Sequence, residues 1–295
     1  MHRSTTFAGT ERPDSAAGFT LTARRRLLGA ILLGELVLAA ALLWKPPSPP
    51  HSSPPPVASS GPAVVSTAPQ PDPVPSTVLP DGRTVSLLAL GGSQSQDLLG
   101  RLGSELGAAA AAVTAFWGPD WPRHIEIAVA GSDQQFRVLA GGAADIAATT
   151  TAQRIMFAPG AADMSPAALR IVLRHELFHY AARSATAGDA PRWLTEGVAD
   201  YVGRPATAVP AQAETLGQLP TDADLDTPGS ARSLAYDRAW WFTRYVADVY
   251  GVPKLRELYV RACGPGHPDV ATAVHETLGV DLDGVVAGWR RWLTG

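Results

Sequence analysis

Half of the 26 prolines in this 295-residue chain fall between Lys45 and Pro80, which confines the packed part of the molecule to the residues beyond Pro80. Proline fixes φ and removes a backbone donor, and here it is spaced by Ser, Ala and Val with almost no charge. Such a stretch extends rather than collapses, and at about 3.1 Å per residue it would reach roughly 100 Å. Residues 45–80 are therefore expected to form a stalk and residues 81–295 the folded domain. Ahead of the stalk, Arg24, Arg25 and Arg26 precede a run from Leu27 to Trp44 that is apolar except for Glu35. As a helix this run would span about 27 Å, close to the roughly 30 Å hydrocarbon core of a bilayer. Arginine clusters stay cytoplasmic, and Trp44 with Lys45 suits the opposite interface. Glu35 would then be protonated or face a partner, because an ionised carboxylate is costly inside the membrane. Two readings fit: residues 27–44 as a single-pass anchor behind a cytoplasmic tail of residues 1–26, or as a signal segment cleaved near Ala39 to Ala41. Either one exports the body, tethered in the first case and secreted in the second.

Charge is uneven along the chain. Residues 1–45 hold six Lys/Arg against three Asp/Glu, and the remainder holds 18 against 24. A body of net negative charge, with no basic stripe interleaved with aromatics, excludes a nucleic-acid partner. Cys263 is the only cysteine, so no intrachain disulfide forms and the body relies on its core.

Periodicity gives the outline of that core. Arg83 to Leu90 and Arg123 to Ala130 alternate as strands do, and Gln153 to Ala158 is a further strand candidate. Ser95 to Trp117 is an Ala/Leu-rich helix that stops at Gly118-Pro119, and a short helix is expected from Ser132 to Leu139. Beyond Ser165 the pattern is helical, and Ser165-Pro166 is itself a helix start: serine caps free N–H groups and proline fits the first turn. The expected fold is α+β, a small mixed sheet packed on helices, followed by a mainly helical C-terminal half.

The helix begun at Ser165 carries His175-Glu176-Leu177-Phe178-His179. Two histidines four apart present their rings on one helical face a turn apart, as two nitrogen ligands of one tetrahedral zinc require. Glu176, beside the first of them, is placed to take a proton from an attacking water and return one to a leaving amine. A third ligand is available after 16 intervening residues, in Trp193-Leu194-Thr195-Glu196-Gly197-Val198-Ala199-Asp200-Tyr201. Glu196 would complete two histidines and a carboxylate with a fourth position open. Asp200, one turn on, is placed to accept the free ring N–H of a ligating histidine.

HELFH followed by WLTEGVADY resembles the gluzincin metallopeptidases, the group containing thermolysin and the zinc aminopeptidases, and most closely the bacterial peptidase MA-like domains. The resemblance covers roughly Gln153 to Val260. It implies a gluzincin-type catalytic core around the HExxH helix, one zinc ion held by His175, His179 and Glu196, Glu176 as catalytic base, and Asp200 behind the first histidine. The connection between the two motifs is shorter than in the thermolysin and aminopeptidase branches. No amine-anchoring motif of the GAMEN type lies upstream, so an endopeptidase acting on peptide or protein substrates is implied rather than an aminopeptidase. The segment from Leu234 to Phe242 is similar to the helix that follows the zinc helices in MA-like domains, and the Tyr236 hydroxyl at its head is a candidate oxyanion donor. The competing function is a tethered binding or scaffolding module that keeps the fold and turns over nothing.

Other motifs read as structural. His2, His51, His124, His267 and His275 have no mutual ligand spacing. Trp240, Trp241 and Phe242 are expected in the core. Asp222, Asp224 and Asp226 alternate as in a calcium loop, but the Gly and bidentate Glu of an EF-hand are missing, so an acidic solvated loop is expected. Cys263 has no catalytic context.

Overall fold

The computed structural model describes residues 76–141, 146–210 and 213–295. Residues 1–26, expected to be a cytoplasmic tail, the apolar run at residues 27–44 and the proline-rich segment up to residue 75 lie outside the described residues. No helix among the described residues is long and apolar enough to cross a membrane.

Among the described residues, five strands form one mixed sheet in the order β1-β2-β3-β5-β4. β2 (Thr84–Ala89), β3 (His124–Val129) and β5 (Ile155–Phe157) are parallel, and the outer strands β1 (Ser76–Val78) and β4 (Ala148–Thr150) are antiparallel to their neighbours. Parallel strands need a crossover, and α1 (Ser93–Trp117) supplies it between β2 and β3. Its buried Leu98, Leu99, Leu102, Leu106, Ala109 and Val113 recur at helical spacing, and Gly118 ends it at a φ of 93°. α2 (Asp133–Ala140) starts where the Ser132 side chain accepts the Gln135 N–H.

Two strands depart from the sequence reading. β1 lies inside the segment assigned to the stalk and pairs with β2, so the sheet includes residues ahead of Asp81. Its three residues are all exposed and carry no apolar alternation, but backbone pairing with β2 and the burial of Leu79 fix it to the sheet. β4 is three residues long and fully buried, too short to show a period of two.

α3 (Pro166–Ala182) begins as its sequence requires, with Ser165 accepting the Ala168 N–H and Pro166 in the first turn. It packs between α1, the β4 edge of the sheet and α4 (Arg192–Gly203), which leaves little of it in water. On the α1 side a bidentate pair joins Arg170 to Glu105 at 2.9 Å, and Phe178 meets Phe116, Trp117 and Tyr259 edge-on. The Tyr180 hydroxyl donates to the His124 carbonyl at the start of β3. α4 packs in turn on α6 (Ser230–Tyr250), where Trp193 meets Phe242, and Phe242 meets Trp289 of the last helix, α9 (Leu282–Thr294). Asp222–Asp226, read as a solvated loop, forms a short helix, α5, because Thr221 and Asp224 cap each other reciprocally. α7 (Val252–Cys263) and α8 (Val270–Leu278) complete the helical half. Cys263 is fully buried, and that burial pushes its thiol up out of the reactive range.

Candidate metal centre

α3 and α4 meet at the residues singled out by the sequence. His175 Nε2 lies 3.0 Å from His179 Nε2 and 3.2 Å from Glu196 Oε2, and His179 Nε2 lies 3.5 Å from the same oxygen. All three residues are buried. The His175 Nδ1 faces Asp200 Oδ1 at 3.0 Å, so that ring nitrogen carries the proton and Nε2 presents a lone pair. Lone pairs converging on one point repel unless a cation sits among them. A tetrahedral zinc with bonds of about 2.0–2.1 Å separates its ligand atoms by about 3.3 Å, and the three distances bracket that edge. The group fits one zinc ion with a fourth position left for water.

Glycines set how closely these helices approach. A Cβ on Gly197 would lie 2.7 Å from the Ala239 carbonyl oxygen of α6, so the residue after Glu196 has no room for a side chain. The Gly197 carbonyl accepts the Thr243 hydroxyl at 2.9 Å, which fixes α4 against α6 beside the ligand. At the other end of α4, a Cβ on Gly203 would press on the Ile171 carbonyl and the His175 backbone. α4 is thereby drawn onto α3 at the first histidine.

Electrostatics follow from this burial. Burial works to raise the Glu196 pKa, but when the His179 and His175 rings are protonated their charge and N–H donors outweigh it and hold the carboxyl well below the usual range. Asp200 has no exposed surface; its second oxygen meets Arg204 Nη2 at 2.5 Å. Arg204 also donates to Asp237 at 2.8 Å and lies over the Trp240 ring. A chain Asp237–Arg204–Asp200–His175 therefore backs one donor of the centre. Sequence reading found Asp200 but missed Arg204, although a basic residue one turn beyond a buried acid was a usable sign.

Glu176 is buried at 4 % exposure, and Thr150 Oγ1 lies 2.6 Å from its Oε2. Thr150 was also missed, since the strand that carries it has no legible period. Tyr236 is buried in the first half of α6, the helix packed on α4. Among the remaining histidines, His124 sits beside Thr84 and Ser86, His267 beside Asp189 and His275 beside Asp281. Two surface hollows, one at Arg256, Arg261 and His267 and one at Phe116, Tyr201 and Arg244, include none of the three donors.

No protein-family model matches the sequence, and no curated protein matches it. Among solved structures the chain is similar to a mutant two-domain M1 zinc metallopeptidase bound to L-arginine, with 16% sequence identity and a TM-score of 0.44. That match covers 75% of this chain and 50% of the other, so the chain spans half the length of the enzyme it matches.

Proposed function

We propose that the chain is a zinc-dependent endopeptidase of gluzincin type, held outside the cytoplasm by its N-terminal apolar segment. The observation that carries this reading is the convergence of His175, His179 and Glu196 at tetrahedral-edge spacing, with the Glu176 carboxylate one residue from the first donor. A zinc ion held by His175, His179 and Glu196 would supply Lewis-acid chemistry, acidifying water and polarising a carbonyl. Glu176 accepts the proton of the attacking water and later passes it to the leaving amine. Asp200 keeps the His175 ring in one tautomer and one orientation, and Arg204 holds Asp200. Tyr236 is assigned to the developing oxyanion, as a hydroxyl on the helix that packs against α4. Peptide or protein chains of the cell envelope or its surroundings are the substrates suited to a domain displayed on a stalk.

The test is zinc content and casein cleavage by the full chain, compared with Glu176→Gln and His179→Ala. Wild type should hold one zinc and cut, Glu176→Gln should hold zinc without cutting, and His179→Ala should lose both. Zinc without cleavage of any peptide tried would favour a tethered binding module, and absence of zinc would overturn the site.

A further inference from the structure

We infer that Thr150, on the edge strand β4, is a positioning residue that fixes the orientation of the Glu176 carboxylate, the catalytic base; the inference rests on the peptidase reading. Thr150 Oγ1 lies 2.6 Å from Glu176 Oε2 and 2.9 Å from the Glu176 backbone carbonyl. Both distances lie in the ordinary range of about 2.5–3.0 Å for a hydroxyl hydrogen bond. A threonine hydroxyl has one proton, and the Glu176 carbonyl already receives an N–H through the helix ladder of α3. The proton is therefore best used on the carboxylate.

The donor is itself fixed. Thr150 is 4 % exposed, its β-branched side chain has few rotamers, and β4 is tied to β5 by the Thr150–Ile155 register. Glu176 is held at its backbone by α3 and at its carboxylate by the sheet, so its flexible side chain has both ends fixed. Reorientation of a base by about 1 Å costs up to about 100-fold in rate, which sets the scale of the expected effect. Because Thr150 belongs to the strand at the end of the sheet, the orientation of the base depends on how the sheet edge sits against the active helix.

The experiment compares the full chain with Thr150→Val, which is isosteric but lacks the donor, and Thr150→Ser, which keeps it. Zinc content, kcat, KM and crystal structures are measured for each, with Glu176→Gln as the reference for loss of the base. Expected for Thr150→Val are one zinc per chain, a kcat lower by about 10- to 100-fold, KM within about twofold and a Glu176 carboxylate swung away from its wild-type position. Thr150→Ser should restore kcat to within about threefold and return the carboxylate. Wild-type kcat in Thr150→Val, or an unmoved carboxylate, overturns the inference. Joint loss of zinc and kcat in both variants overturns it too, because a structural role would then account for the contact. If the wild type binds zinc but cuts nothing, the peptidase reading fails, and the crystal structures still decide whether Thr150 sets the carboxylate.

Discussion

Asp200 shows how much of the centre rests on single side chains without being a ligand itself. It is fully buried with the His175 ring on one oxygen and Arg204 on the other. Asp200→Asn keeps the size but removes the charge that fixes the tautomer, so zinc affinity should fall by about 10- to 100-fold, as competition with a fluorescent chelator would report. Arg204→Met leaves a buried carboxylate without its cation, and the metal-free protein should lose about 3 kcal/mol in urea unfolding. That deficit has a pH signature. Burial raises the Asp237 pKa above its ordinary 3.8 while Arg204 pulls it down. A folded pKa above the unfolded one gives stability that is complete below 3.8 and is lost as pH rises through the folded value. Removing Arg204 raises the folded value further, so the variant's deficit should be larger at pH 7 than at pH 5. An equal deficit at both would show that Asp237 does not take part.

At the scale of elements, the pairing of α4 with its neighbours positions the third candidate donor, Glu196. Gly197→Ala places a methyl group 2.7 Å from the Ala239 carbonyl oxygen, and backbone there has no rotamer to yield. The helices must part, at a cost of about 1–3 kcal/mol, and Glu196 moves with them. Zinc affinity and thermal midpoint should therefore fall together in this variant, although position 197 touches no metal. How far the sequence revealed these elements depended on length and period. α1 and α3 announced themselves by recurrence of apolar residues over several turns and by their terminal signals, Gly118 in one and Ser165-Pro166 in the other. β1 and β4 did not, because three residues hold too few repeats for any period, and what keeps them in place is antiparallel backbone pairing with the next strand along the chain, β2 and β5. Asp222–Asp226 looked like a loop because its acidic residues resemble a solvated run, yet one of them, Asp224, is the capping partner of Thr221.

For the molecule as a whole, the domain boundary and the metal are the two testable quantities. A chain starting at Ser76 should match the full chain in thermal midpoint, whereas one starting at Asp81 loses β1 and the burial of Leu79. Burial of one leucine stabilises by about 1.5–3 kcal/mol, so the shorter chain should melt several degrees lower. Zinc at about 1,000 times its dissociation constant should add about 4 kcal/mol, and chelation should remove it. Acid should release the metal as well, because protons compete for the ring nitrogens of His175 and His179. Glu196 stays ionised through that window, its carboxyl being held below the usual range, so release follows the rings rather than the carboxylate. The grouping of the three candidate donors was legible in the sequence because His175 and His179 are one helical turn apart, and because Glu196 followed in a second helix that a short connection could bring back. Their distances to one another, the support of Asp200 by Arg204 and the contact of Thr150 with Glu176 required the tertiary structure. A helix fixes neighbours within one turn by its own geometry, whereas contacts between α3, α4 and β4 depend on the packing that brings distant parts of the chain together.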